Sequence, residues 1–135
     1  MERAWQNELN WASRTYVAEQ DGRVVGYVAV SASHVDHDEV SGAVRRNMPE
    51  PIPAILLRRL AVDESLHGKG WGGGLLRDAL GRCAQVAIDV GVRVVITQAI
   101  SDEARSFYTR FGFRETRNRP MKLYLDLRAI AAVTR

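Results

Sequence analysis

Residues 60–73 read LAVDESLHGKGWGG, and this stretch decides how the chain folds. An apolar run ends at Asp63, glycine occupies every second position from Gly68 to Gly72, and a long amphipathic stretch follows at once. Strand, glycine-rich turn and helix in that order form a phosphate cradle, because glycine lets successive backbone N–H groups point at an anion. The positive end of the helix dipole adds to this attraction. The stretch therefore predicts a site for a phosphate-bearing ligand.

Three kinds of phosphate-binding loop are possible interpretations of this stretch. In form, residues 68–73 match the dinucleotide-binding pattern G-x-G-x-x-G. That pattern requires an acidic residue at the end of the second strand, but Asp89 lies in the predicted helix and the next strand, from Arg93 to Ala99, contains no acid. No stretch fits the P-loop pattern either. The third kind is the pyrophosphate loop of an acyl-coenzyme A enzyme.

Two elements in the expected order make the chain resemble the GNAT N-acetyltransferases. Their loop is usually written Gln/Arg-x-x-Gly-x-Gly/Ala, and residues 67–72 (HGKGWG) fit it with histidine in the first place. The second element, Ala104-x-x-x-Tyr108-x-x-x-Gly112-Phe113, follows downstream. The resemblance implies acetyl-CoA as the acetyl donor. It also implies an α/β (α+β) fold, the GNAT acyl-CoA N-acyltransferase fold, with a central mixed, mostly antiparallel sheet flanked by helices.

Further segments resemble one branch of this family, the GNAT toxins of bacterial toxin–antitoxin pairs. These segments are residues 42–53 (GAVRRNMPEPIP) and 55–63 (ILLRRLAVD), and the resemblance runs from about Ala12 to Leu127. Such toxins acetylate the α-amine of aminoacyl-tRNA and so stop translation. The resemblance implies a ribbon-helix-helix antitoxin with an acidic, disordered tail as a partner, and homodimers are common in the family. Members normally carry further N-terminal residues, so a shortened member is expected.

The resemblance also implies roles for individual residues. Tyr108 is expected to face the sulfur of coenzyme A, and a phenol with a pKa of about 10 can protonate a thiolate whose conjugate acid has a pKa of about 8.5. A backbone N–H of the strand Leu60–Val62 is expected to stabilise the oxyanion. Ser101 stands where many members carry an asparagine that touches the cofactor. The residues expected to bind the cofactor are Leu60, Ala61, Val62, His67, Gly68, Lys69, Gly70, Trp71, Gly72, Gly73, Ser101 and Tyr108.

The basic residues are mostly arginines, since only two of the 19 basic residues are lysines. Arginine binds phosphate bidentately and stacks on bases, which suits an RNA partner, although a GC-rich genome produces the same bias. The basic clusters are more informative than the total, and they are Arg45-Arg46, Arg58-Arg59, and Arg110, Arg114, Arg117 and Arg119 with Lys122. We predict that Arg45, Arg46 and Arg59 contact tRNA phosphates, with Arg77 and Arg117 as weaker candidates. A solvated surface arginine remains the alternative at each position.

The chemistry of the acceptor favours an α-amine. Its pKa of about 8 leaves a neutral fraction at cellular pH, so water can take the proton and no general base is required, whereas a lysine side chain has a pKa of about 10.4. Other readings stay open at this point. One is a GNAT enzyme that acetylates a small amine or a protein N-terminus, and another is a catalytically weakened module that only binds acetyl-CoA.

Length and composition limit the class of protein. A chain of 135 residues with 46% apolar residues predicts one domain, spanning residues 1–135. No apolar run approaches the roughly 20 residues that cross a bilayer, and no signal peptide is visible, so we expect a cytoplasmic protein. Cys83 is the only cysteine. The polar residues His34, Asp36, His37 and Asp38 lack the spacing of a known metal site, so no metal is expected.

Hydrophobic periodicity and turn residues predict the order of elements. They predict a short helix over 2–11, a hairpin around Asp21-Gly22, an irregular segment over 34–53, a strand over 54–62, a helix over 72–90 that ends at Gly91, a strand over 92–99, a helix that begins at Ser101, strands over 113–116 and 122–127, and a short or frayed helix from 128.

Overall fold

The computed structural model describes residues 2–7, 13–63 and 67–134. Its strands are β1 (Glu2–Asn7), β2 (Ser13–Gln20), β3 (Arg23–Val35), β4 (Ile52–Val62), β5 (Val94–Gln98), β6 (Arg114–Glu115) and β7 (Lys122–Asp126). Its helices are α1 (Gly42–Arg45), α2 (Trp71–Val90), α3 (Asp102–Arg110) and α4 (Leu127–Thr134), with a 3-10 turn at His37–Glu39. No helix in the described part of the chain is long and apolar enough to cross a membrane.

The strands form one seven-stranded sheet in the order β1-β2-β3-β4-β5-β7-β6. Strands β4 and β5 are parallel, and all other neighbouring strands are antiparallel. Parallel neighbours require a long crossover, and α2 supplies it between β4 and β5. The prediction of a mixed, mostly antiparallel sheet flanked by helices is confirmed.

The structure corrects the predicted elements in three places. Residues 2–7 form an edge strand paired with β2, so the helix predicted over 2–11 is wrong there, while 8–11 lie outside the described residues. The backbone hydrogen bonds offered by the edge of β2 outweigh a weak helical pattern. The segment 34–53 is more regular than predicted, because β3 extends to Val35 and β4 begins at Ile52. The strand predicted over 113–116 shortens to Arg114–Glu115.

The sheet buries apolar side chains on both faces. On one face α2 packs with Leu75, Leu76, Ala79 and Leu80, none of which is more than 2% exposed. The apolar positions predicted for this helix are buried at these four residues and at Cys83 and Ala87, whereas Val86 and Val90, which share the same spacing, are exposed. The other face lies under residues 36–50, which we call the cover segment. Its Val40 and Val44 pack in a cluster with residues of β3, β4, β5 and β7.

Arginine side chains hold the cover segment by its backbone carbonyls. The guanidinium of Arg93 donates to the carbonyl oxygens of Val44 and Arg46 at 3.3 and 3.0 Å. The guanidinium of Arg128 donates to the carbonyl oxygen of Ala43 at 2.9 Å. These hydrogen bonds satisfy backbone acceptors at the end of the short helix α1.

A buried ion pair ties the cover segment to β7. The Nζ of Lys122 lies 2.8 Å from Oε2 of Glu39, and the two side chains are 17% and 10% exposed. Oε1 of Glu39 accepts the N–H of Asp36 at 3.0 Å. Burial by itself would raise the pKa of Glu39, but the hydrogen bonds from Lys122 and Asp36, with the charges of Lys122 and Arg119, outweigh it and lower the pKa.

We expect Glu39→Gln to reduce the free energy of unfolding by about 1–3 kcal/mol at pH 7, because the Lys122 ammonium would lose its buried counterion. The pKa of Glu39 is lower in the folded chain than its ordinary 4.5, so its stabilising contribution is complete above that value and disappears as pH falls through the folded pKa. Urea unfolding at pH 7 and in the acid range measures this difference.

The matched control is Glu115→Gln, which removes a carboxylate from an exposed pair with Arg105 at 3.1 Å. Its expected cost is about 1 kcal/mol or less. A Glu39→Gln variant no less stable than this control would contradict the role assigned to the buried pair.

Candidate active site

The sheet opens between β4 and β5. The two strands pair only from Ala54 opposite Val94 to Leu57 opposite Thr97. Beyond that point β4 continues to Val62 and pairs with β3, with a register irregularity at Ala29/Val30 close to the opening. The last part of β4 therefore has an open edge facing β5 within the described part of the chain.

The backbone of β4 presents alternate peptide groups to this open edge. The N–H of Asp63 donates to the carbonyl oxygen of Val25 on β3 at 2.7 Å. Because successive residues of a strand direct their backbone groups to opposite sides, Ala61 also faces β3, whereas Leu60 and Val62 face the opening. The oxyanion donor predicted on this strand is thereby narrowed to the N–H groups of Leu60 and Val62.

The glycine turn leads directly into α2. Gly68 and Gly70 have φ angles of +78° and +81°, a region that favours glycine. The first N–H donated within the helix is that of Gly74, to the carbonyl oxygen of Gly70 at 3.0 Å. The N–H groups before Gly74, at the start of the helix, therefore remain available for an anion. No acidic residue lies in the first turn of the helix.

His67 closes the turn onto β4. Its Nε2 lies 2.8 Å from the carbonyl oxygen of Val62. Since a carbonyl only accepts, Nε2 carries the proton in this contact. This contact agrees with the expectation that His67 shapes the loop.

These elements surround a cavity of about 620 Å³. Its lining comprises Leu60, Val62, His67, Gly68, Gly70, Trp71, Gly72, Gly73, Ala104, Phe107, Tyr108 and Arg110. No carboxylate lines it among the residues that the structure describes, and residues 64–66 lie outside that part. Open N–H groups at one wall, apolar side chains and the open edge of β4 fit an extended ligand that carries phosphates, as coenzyme A does.

Tyr108 is the most buried of the residues that line this cavity. Its side chain is 7% exposed and packs against Phe107 and Phe113 with ring centroids 5.3 Å apart in both pairs. Burial raises the pKa of the phenol above its ordinary value, and a hydrogen bond with the Thr97 side chain partly offsets this effect. The Thr97 hydroxyl also donates to the carbonyl oxygen of Leu57 at 3.0 Å. The phenol is therefore held in its protonated form where the sheet opens.

Three residues predicted to bind the cofactor do not line the cavity. Ala61 directs its carbonyl at Gly26 on β3. Ser101 begins α3 and accepts the N–H of Ala104 at 3.1 Å, which confirms the predicted helix start. Lys69 is exposed in the glycine turn. The roles assigned to these three residues remain predictions.

The predicted tRNA contacts are placed differently from one another. Arg59 is exposed on β4 beside the opening, and Arg46 is exposed on the cover segment. Arg45 is half-buried and donates to the carbonyl oxygens of His37 and Val40 at 3.2 Å each. Of the weaker candidates, Arg77 stacks over Phe111 at 5.6 Å and Arg117 is exposed. Arg45 thus shapes its own loop.

The polar residues from His34 to Asp38 form no metal-binding group within the described ranges. The ring of His37 instead contacts the carbonyl oxygens of Met48 and Pro49 at 3.0 and 2.9 Å. His34, Asp36 and Asp38 line a separate polar cavity of about 340 Å³, together with Glu39, Asn118, Arg119 and Lys122.

Four residues of the site were not predicted to belong to it: Ala104 and Phe107, which line the cavity, together with Thr97 and Arg110. Thr97 is predicted only as part of a buried strand, and its single signal is a hydroxyl directly after the apolar run from Val94 to Ile96. Arg110 was one member of a group of arginines, and its place on α3, two residues after Tyr108, was the available signal. Neither signal distinguishes these residues from ordinary strand or surface positions.

Comparisons with known proteins agree with this geometry. The acetyltransferase (GNAT) domain family matches residues 11–115. A tRNA-acetylating toxin of Mycobacterium tuberculosis is 47% identical over 131 residues, which cover 95% of this chain and 79% of that toxin. The structure of AtaT complexed with acetyl-methionyl-tRNAfMet has a TM-score of 0.84 at 25% identity, over 93% of this chain and 78% of that one. A mutant AtaT bound to the C-terminus of the antitoxin AtaR and acetyl-CoA has a TM-score of 0.74 at 25% identity, over 90% and 72%.

Proposed function

Because the chain belongs to the GNAT acetyltransferase family, we propose that it is a toxin that transfers an acetyl group from acetyl-CoA to the α-amine of aminoacyl-tRNA. The assignment of aminoacyl-tRNA as the acceptor rests on the 47% identity, over 95% of this chain, to a tRNA-acetylating toxin. Such acetylation blocks the amine that would form the next peptide bond. Charged tRNA is a cytoplasmic substrate, so we propose that the reaction takes place there.

Acetyl-CoA supplies an acetyl group activated as a thioester. The open N–H groups at the start of α2 would hold its pyrophosphate, and Leu60 and Val62 would flank its pantetheine arm. One of the N–H groups of Leu60 and Val62 would donate to the carbonyl oxygen on which negative charge develops. Such a fixed donor in a partly dry cleft stabilises developing charge more strongly than water does.

Two groups give up a proton during the reaction, the attacking α-amine and the phenol of Tyr108. The α-amine, with a pKa of about 8, enters partly neutral and gives its proton to water after attack. The phenol of Tyr108, which is protonated at neutral pH, would donate its proton to the departing sulfur and regain one from water. No general base is required from the chain.

The aminoacyl-tRNA would approach the open edge of β4 from the side on which Arg59 lies. Arg59 and Arg46 are exposed, so both are available to tRNA phosphates, whereas Arg45 serves the cover segment. We propose an antitoxin as a protein partner, in line with the AtaT complex with the C-terminus of AtaR. A ribbon-helix-helix fold for that antitoxin and a homodimer of this chain remain predictions.

The test is the transfer of labelled acetyl from acetyl-CoA to bulk charged tRNA. Deacylated tRNA, charged tRNA with its α-amine already blocked, a polyamine and a peptide with a free N-terminus serve as parallel acceptors. We expect label on charged tRNA with a free amine and on none of the others. Preferential labelling of the polyamine or the peptide would overturn the acceptor assignment, and bound acetyl-CoA without any transfer would indicate a module that only binds it.

A further inference from the structure

Arg110 is the exposed arginine that lines the cavity proposed to hold the cofactor. It is the last residue of α3 and lines the cavity with Phe107, which precedes it by one helical turn. Phe107 lies against the start of α2, since a Cβ added to Gly72 would lie 3.8 Å from its ring. Arg110 is exposed whereas Tyr108 is buried, so the same cavity is lined by one solvent-facing and one buried residue of α3.

The guanidinium of Arg110 is free to bind a ligand. It forms no ion pair with any residue that the structure describes. Its neighbours are already engaged, because Arg105 pairs with Asp102 and Glu115 and Arg77 stacks over Phe111. Arg110 is therefore the one arginine, within the described ranges, that lines the cavity.

Coenzyme A carries two separate phosphate groups, the pyrophosphate and the 3′-phosphate of its adenosine. The open N–H groups and the dipole of α2 match the pyrophosphate, which lies nearer the thiol. The 3′-phosphate lies at the far end of the molecule from the thiol. Lys69 is exposed in the glycine turn but does not line the cavity, whereas Arg110 does. Arginine binds a phosphate monoester with two parallel hydrogen bonds.

We propose that Arg110 binds the 3′-phosphate of coenzyme A and so selects coenzyme A over its 3′-dephosphorylated form. The inference rests on acetyl-CoA as the donor but is independent of which amine accepts the acetyl group. The order along the cavity is then Tyr108 at the sulfur, the first turn of α2 at the pyrophosphate and Arg110 at the ribose.

Calorimetric titration with CoA and with 3′-dephospho-CoA, without any acceptor, tests the proposal. We expect Arg110→Gln to raise the Kd for CoA about 10-fold and to leave the Kd for dephospho-CoA unchanged, because only CoA offers the partner of the guanidinium. The wild-type preference for CoA should disappear in the variant. Arg114→Gln removes the same charge from an exposed position outside the cavity and should change neither Kd.

Equal weakening of both ligands by Arg110→Gln would place this side chain on the pyrophosphate and overturn the proposal. An unchanged preference for CoA would overturn it as well. Failure of the wild-type chain to bind either ligand would instead refute acetyl-CoA as the donor. If the acetyl-transfer assay showed a different amine as the acceptor, the calorimetric test of Arg110 would be unaffected. Melting temperatures of both variants show that the comparison is made between folded proteins.

Discussion

Tyr108→Phe is expected to lower kcat for acetyl transfer by about 100-fold or more, because a general acid of this kind contributes roughly 10²–10⁴ to the rate. The ring would keep its contacts with Phe107 and Phe113, so the fold and the cavity would remain. The proton offered to the departing sulfur would be missing, together with the hydrogen bond between the phenol and the Thr97 side chain. We therefore expect the Kd for acetyl-CoA to stay within about 3-fold of the wild-type value, since ground-state binding does not use that proton.

The control for Tyr108→Phe is Tyr124→Phe. The hydroxyl of Tyr124 is also buried, but it lies on the other face of the sheet and accepts the N–H of Ser41 at 3.3 Å. Its removal should cost stability and leave kcat unchanged. If Tyr108→Phe and Tyr124→Phe had the same kcat, Tyr108 would be a core residue and not the acid.

The pH profile gives a second check on Tyr108. The rate should rise with pH as the α-amine loses its proton near its pKa of about 8. Because the pKa of Tyr108 is raised above its ordinary value of 10.0, loss of the acid should appear only above that pH. A descending limb between pH 8 and pH 9.5 that vanished in Tyr108→Phe would contradict the raised pKa.

Gly72→Asp is expected to weaken acetyl-CoA binding by about 100-fold, because a carboxylate at the start of α2 would repel the pyrophosphate and occupy its N–H donors. The fold should tolerate the change. An added Cβ at Gly72 meets the Phe107 ring at 3.8 Å and the Val62 side chain at 3.9 Å, both ordinary contact distances. A carboxylate in the first turn of a helix is stabilising. The melting temperature should therefore stay the same or rise while the affinity for acetyl-CoA falls.

Gly72→Asn is the matched control, with the same size and no charge. We expect it to raise the Kd for acetyl-CoA by about 10-fold or less, because the side chain competes for N–H groups without repelling phosphate. If the Asp and Asn variants bound acetyl-CoA equally well, charge at this turn would not govern binding. The assignment of the pyrophosphate to the helix start would then be wrong.

Local sequence determined the parts of the fold that depend on neighbouring residues. The glycine turn, the helix that begins beside it and the Ser101 cap of α3 all appear as predicted, because φ preference, helical periodicity and side-chain capping act over a few residues. The GNAT resemblance rested on these same stretches, and the family comparison confirmed it.

Only the tertiary structure decided which backbone and side chains meet. The register of β3 and β5 against β4 sets where the sheet opens and which N–H groups face the opening. The bond between Thr97 and Tyr108 joins β5 to α3, and the strand at 2–7 depends on the edge of β2. Likewise, Arg45 faces its own loop while Arg110 faces the cavity, although both were arginines in basic clusters. Such outcomes depend on hydrogen-bond partners distant in the chain, which local propensity does not encode.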